Sequence, residues 1–167
     1  AAAQKTVWRR ATSTTAWRPV LYAAVASNGV RRGRPRRRDR AVVDQRAQLL
    51  RVRPLERALP PRLTLCDWTL LYSTEQHGCS LRTCYRQLEG RHGPNLVLVL
   101  DDGGRLFGAF ASEALRCERH YFGTGETFLF SLAPSFAAYR WTRQNSHYVL
   151  GGHDSLAHPL YFVNRGI

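Results

Sequence analysis

Residues His120 to Trp141 read His-Tyr-Phe-Gly-Thr-Gly-Glu-Thr-Phe-Leu-Phe-Ser-Leu-Ala-Pro-Ser-Phe-Ala-Ala-Tyr-Arg-Trp. At their centre Gly123, Thr124, Gly125 and Glu126 place two glycines around a small polar residue, followed by a carboxylate. Glycine tolerates positive φ and close backbone approach, so this is a tight connection. It feeds Thr127–Leu132, an aromatic and β-branched run that predicts a buried strand. Pro134 lacks the N–H that a ladder needs and stops that strand. Tyr139 and Trp141 alternate with polar neighbours, which predicts a second strand. Two aromatic strands about a proline-marked turn make a β-hairpin.

Upstream, Trp68–Ser73 alternates as a strand, with Trp68, Leu70 and Tyr72 on one face and Thr69, Leu71 and Ser73 on the other. His77-Gly78 turns the chain. Ser80 caps a helix over Leu81–Leu88, where Leu81, Cys84, Tyr85 and Leu88 share a face. Leu96–Leu100 and Leu106–Ala111 flank Asp101-Asp102-Gly103-Gly104, the signature of a hairpin turn. Ser112–Leu115 is read as a single helical turn and Ser146–Leu150 as a further strand. Asp44 caps a short helix running to about Arg53, which Pro54 ends or kinks. The expected core includes Trp68, Leu98, Phe107, Phe128, Phe130 and Trp141.

Tyr121-Phe122-Gly123-Thr124-Gly125-Glu126-Thr127-Phe128-Leu129-Phe130-Ser131 resembles the signature of the TLDc domain, the module of oxidation-resistance and nuclear-receptor-coactivator-like proteins. Further blocks resemble that family in order and spacing. They are Leu59-Pro60-Pro61-Arg62, Trp68–Thr74, His77–Leu81, Tyr85-Arg86, Val97–Asp101 with Phe107–Glu113, Tyr139–Thr142 and Asp154–Leu156. The resemblance covers roughly residues 55–157 and is nearest to short members that are little more than this domain. It implies an α+β fold: two mainly antiparallel sheets packed as a β-sandwich with flanking helices. It also implies a C-terminal third that Leu160–Ile167 replaces or leaves incomplete. The implied organisation is an N-terminal extension over residues 1–54, a partial TLDc-like domain over 55–157 and a divergent tail over 158–167.

Charge is unevenly distributed. The 167 residues carry a formal net charge of +13. Residues 1–57 hold 15 Lys+Arg against 3 Asp+Glu, so the basic excess belongs to the extension. It gives no ground for assigning nucleic-acid binding to the domain. Residues 1–40 show no persistent period and are expected to be disordered, or locally ordered at most. Within them, Arg32-Gly33-Arg34-Pro35-Arg36 resembles the core of an AT-hook, whose extended backbone fits a narrow minor groove. The same run reads as nuclear targeting, or more plainly as a solvated basic stretch. No apolar run reaches the length of a membrane-spanning helix.

The candidate chemistry is sparse. Glu126 stands beside a glycine-rich turn without a second carboxylate at readable spacing, which favours an anchor for turn N–H groups, or part of a binding surface, over a general acid. His77 beside Cys79 has the elements of an activated thiol but no orienting third group. Ser131 lacks a nucleophile elbow, and His153-Asp154-Ser155 is a contiguous coincidence rather than a converging triad. Cys66, Cys79, Cys84 and Cys117 lack the spacing of a compact zinc site and are expected to be reduced and buried. No catalytic residue, metal or cofactor is assigned.

The resemblance implies a non-catalytic regulatory module. It implies binding to the vacuolar proton-pumping ATPase and a part in oxidative-stress resistance. The signature Gly123, Thr124, Gly125 and Glu126 then forms the binding surface. The implied location is intracellular, cytoplasmic or peripheral to endolysosomal membranes, with a nuclear one left open by the arginine run. The alternatives are a hydrolase or redox enzyme acting through Cys79 or Glu126, and DNA association through Arg32–Arg36.

Overall fold

The structure is a computed structural model that describes residues 20–27, 53–63, 66–152 and 160–162. Eight strands occur among them. β1 is Val20–Ser27, β2 Asp67–Ser73, β3 Asn95–Leu100, β4 Leu106–Ala111, β5 Phe128–Ala133, β6 Ala137–Arg140, β7 Val149–Gly151 and β8 Leu160–Phe162. The helices are α1 Arg53–Ala58, α2 Thr74–His77 and α3 Leu81–Leu88, with a 3₁₀ turn at Pro61–Leu63. Six strands form one sheet in the order β2-β1-β3-β4-β5-β6, and β7 pairs with β8. Every pairing is antiparallel.

The sheet has a core on each face, as the period of two requires. In β3, Val97 and Val99 face one core while Leu96 and Leu98 face the other. In β4, Ala109 and Ala111 oppose Leu106 and Phe110 in the same way. The first core is closed by Cys84 and Leu88 of α3, by Phe122, and by Val149 and Phe162 of the β7–β8 ribbon. The second is closed by Leu55 and Ala58 of α1 with Leu59 and Leu63, against Phe110, Phe128 and Phe130. The protein is therefore α+β and antiparallel. The described residues give one six-stranded sheet and a two-stranded ribbon.

Several local expectations are met. Ser80 has extended backbone and its hydroxyl accepts the Thr83 N–H at 3.4 Å, capping α3. The β3–β4 hairpin turns at Asp101, whose carboxylate accepts the Arg105 N–H at 2.8 Å. β5 and β6 form the hairpin read around Pro134, with Ser131 opposite Ala137.

Others need correction. The expected disorder of residues 1–40 fails at Val20–Ser27, which form a central strand hydrogen-bonded to β2 and β3. Pro54 lies inside a helix, in the first turn of α1, where a missing N–H costs nothing. Asp44 and the rest of that expected helix up to residue 52 lie outside the described residues. In β2, register shifts at a bulge: Tyr72 pairs with Ala23, and Leu70 with Ala24. The extra residue turns Tyr72 to the first core, whereas Trp68 and Leu70 pack on the second. Ser112–Leu115 forms no helical turn. β6 ends at Arg140, before Trp141. Leu98, Phe128 and Phe130 are buried, but Trp68, Phe107 and Trp141 are only half-buried. Of the divergent tail, Leu160–Phe162 supplies β8 against β7.

Candidate functional site

The signature loop is built by a ring of short polar contacts. Gly123 has φ of 101°, a conformation that side chains resist, and it redirects the chain after Phe122. Phe122 exchanges backbone hydrogen bonds with Val149 at 2.9 and 3.0 Å, tying the loop entrance to β7. The Thr124 N–H donates to Ser112 Oγ at 2.8 Å, and the Ser112 N–H donates to Thr127 Oγ1 at 3.3 Å. The Thr127 N–H closes the turn on the Thr124 carbonyl at 3.0 Å. Thr124 Oγ1 accepts the Glu126 N–H at 3.3 Å.

The Glu126 side chain turns to Arg62 rather than to the turn N–H groups. Its two carboxylate oxygens accept from both terminal nitrogens of Arg62, a bidentate ion pair. Arg62 stands in the 3₁₀ turn of the Leu59-Pro60-Pro61-Arg62 block. The hydrogen bonds from Arg62 hold the Glu126 carboxyl below its usual range, so at neutral pH it is ionised and has no proton to donate. The pair is half exposed, which keeps its contribution to stability within about 0–1 kcal/mol. Its sign follows from the lowered pKa. The contribution is present above pH 4.5 and is lost as pH falls through the depressed value. Thermal unfolding of the parent and of Glu126→Gln should therefore differ near neutrality and converge on acidification. A constant difference down to pH 3 would contradict the ion pair.

Trp141 lies over Gly125. A Cβ there would come within 2.3 Å of the indole, so the close approach requires glycine. The indole cannot easily yield, since its Nε1–H donates to the Asn145 carbonyl at 2.7 Å and its ring meets Tyr148 edge-on at 5.3 Å. Beside it, the Tyr121 and His147 rings lie 4.3 Å apart, with Tyr121 exposed. The Arg116 guanidinium covers Phe122 at 4.2 Å and pairs with Glu113 at 3.0 Å and Glu118 at 2.5 Å. The result is a partly exposed ledge of aromatic rings and ion pairs around the hydrogen-bonded loop. Arg62, Ser112 and Trp141 escaped sequence reasoning as parts of this site. The available signal was their place in the quoted blocks, and chain order alone does not say which blocks meet.

The other sequence candidates lie elsewhere. His77 Nδ1 faces the Ser73 backbone, at 3.1 Å from N and 3.3 Å from O, and its ring stacks on Tyr72 at 5.6 Å. None of the four cysteines forms a disulfide. Contrary to expectation only Cys84 is buried, while Cys79 and Cys117 are exposed and Cys66 is intermediate. Burial pushes the Cys84 thiol up to about 12, which keeps it protonated at neutral pH. Ser131 Oγ donates to the Ser135 carbonyl at 3.1 Å within the β5–β6 turn. Among the described residues no three His, Cys, Asp or Glu gather as a metal site. Arg32–Arg36, His153, Asp154 and Ser155 lie outside the described residues.

The chain is 43% identical to Oxidation resistance protein 1 of Homo sapiens over 106 residues, 64% of this chain and 12% of that protein. The Xenopus laevis protein of the same name is 43% identical over 110 residues, 66% of this chain and 13% of its own. Nuclear receptor coactivator 7 of Gallus gallus is 38% identical over 107 residues, 64% of this chain and 12% of its own. The chain spans about an eighth of the length of these relatives. The TLDc domain matches residues 48–158, which include Arg62, Ser112, Gly123–Glu126 and Trp141. The chain belongs to the TLDc domain family.

Proposed function

We propose that this chain is a non-catalytic TLDc module that contributes to oxidative-stress resistance by binding the vacuolar proton-pumping ATPase. The docking surface in this reading is the ledge around Gly123, Thr124, Gly125 and Glu126. One observation carries it: four sequence blocks meet there, through Arg62–Glu126, Ser112–Thr127 and Gly125–Trp141. A polar and aromatic surface held rigid in this way suits recognition, because little ordering entropy remains to be lost on binding. Its place of action would be the cytoplasm or the surface of endolysosomal membranes. The Arg32–Arg36 run adds a separate reading of DNA association.

The test is capture of pump subunits from cell lysate on the immobilised chain, beside the double variant Arg62→Ala/Glu126→Ala. Because the ion pair is half exposed, the variant should lose no more than about 1 kcal/mol of stability, yet lose most of the captured pump. Equal capture by both proteins would dismiss the ledge as the docking surface. No capture by the parent would dismiss the partner. A turnover that disappears in Cys79→Ala or Glu126→Ala would replace the binding module by an enzyme.

A further inference from the structure

β1 ends at Ser27, whereas the family match begins at residue 48. An interior strand of the six-stranded sheet is thus supplied from outside the matched module. β1 runs antiparallel to β2 along one side, from Tyr22 opposite Ser73 to Ser27 opposite Asp67. It runs antiparallel to β3 along the other, from Val20 opposite Leu100 to Val25 opposite Asn95. β2 and β3 therefore point the same way. With β1 lifted out, they bound a slot walled by two rows of unpaired N–H and C=O groups. Both cores also lose a contribution, Leu21 and Ala23 from the first and Tyr22 from the second. Ala23 and Ala24 are 1% and 2% exposed, so at these positions the slot takes only a small side chain.

The connection on the C-terminal side of β1 is long. Twenty-five residues separate Ser27 from Arg53. Such a length reaches as far as about 80–90 Å when extended, several times the width of the sheet. β1 can thus be delivered to its own slot or to that of a neighbouring molecule, with the same hydrogen bonds and the same buried side chains in both cases.

We propose that the slot between β2 and β3 is a strand-acceptor site, and that it takes Val20–Ser27 of a second copy of this chain as an alternative to its own. Reciprocal exchange would then give a closed two-fold dimer.

Two full-length variants separate donor from acceptor. In Ala24→Asp a carboxylate at a buried position spoils the chain's own β1 but leaves the slot intact. In Val97→Asp the same change in β3 spoils the slot but leaves β1 intact. Each variant alone should unfold at least about 10 °C below the parent, or without a cooperative transition, since many contacts are lost together. Mixing them should restore a cooperative transition and yield a 1:1 complex by light scattering. A synthetic peptide of residues 18–29 should restore the Ala24→Asp chain in the same way, and the peptide carrying Ala24→Asp should not. If neither the peptide nor the Val97→Asp chain restores folding, the slot accepts no strand in trans and the proposal fails. Restoration by the peptide but not by the chain would also overturn a second copy as the occupant.

Discussion

Phe128→Ala should lower the unfolding free energy by about 3–5 kcal/mol, the range for truncating a buried aromatic side chain. Phe128 is 2% exposed and sits at the start of β5, immediately after the signature loop. Its ring lies 5.3 Å from Phe110 and 6.0 Å from Phe130, and the Arg140 guanidinium stands 5.3 Å from its centroid. Arg140 also donates to the Ala58 carbonyl at 2.7 Å, closing the end of α1. The truncation therefore opens a cavity beneath α1 and removes aromatic pairings beyond the lost area. Urea denaturation with a two-state fit measures it. A loss below about 1 kcal/mol would mean that Phe128 does not fill this core.

Gly108→Ala should rank with it, by the opposite mechanism. A Cβ at Gly108 would lie 2.0 Å from the Val97 carbonyl oxygen and 2.8 Å from Phe130 Cζ. The first obstacle is backbone of the adjacent strand, in the interior of the sheet, and cannot rotate aside. Relief requires β3 and β4 to separate or Phe130 to leave its place, so a loss of at least about 1–3 kcal/mol is expected. The same urea titration reads it. An unchanged midpoint would show that β4 packs against β3 differently.

The two experiments probe elements that chain order alone made visible. β3 and β4 carry apolar runs on either side of an Asp-Gly turn, and both their period and their pairing are local. α3 was visible for the same reason: its cap and its apolar face lie within nine residues. β1 was not visible. Val-Leu-Tyr-Ala-Ala-Val-Ala-Ser has no polar alternation, because an interior strand covered on both faces needs none. Its alanines have little strand preference, and it lies in an arginine-rich context. Nothing local signals partners at residues 67–73 and 95–100. The Tyr72 reversal was hidden too, since a bulge depends on the strand opposite.

The site divided along the same line. Gly123 and the turn it makes could be read directly, and so could the carboxylate at Glu126. Arg62, 64 positions away, could not be matched to Glu126 from charge alone in a chain with 25 Lys+Arg. Residues joined by sequence neighbours were legible, while those joined only by the sheet were not.

The placement of β1 also sets a schedule for synthesis. It is the earliest described strand to leave the ribosome, yet one partner, Asn95, lies about 70 positions later than Val25. At roughly 5–20 residues per second, β1 waits about 4–14 s for β3, with at least one side of its backbone unpaired. For that interval an apolar segment with an open edge stands beside nascent neighbours on the same message. Polysomes would thus bring several copies of β1 together before any has a slot to enter, and crowding there could favour exchange over self-closure.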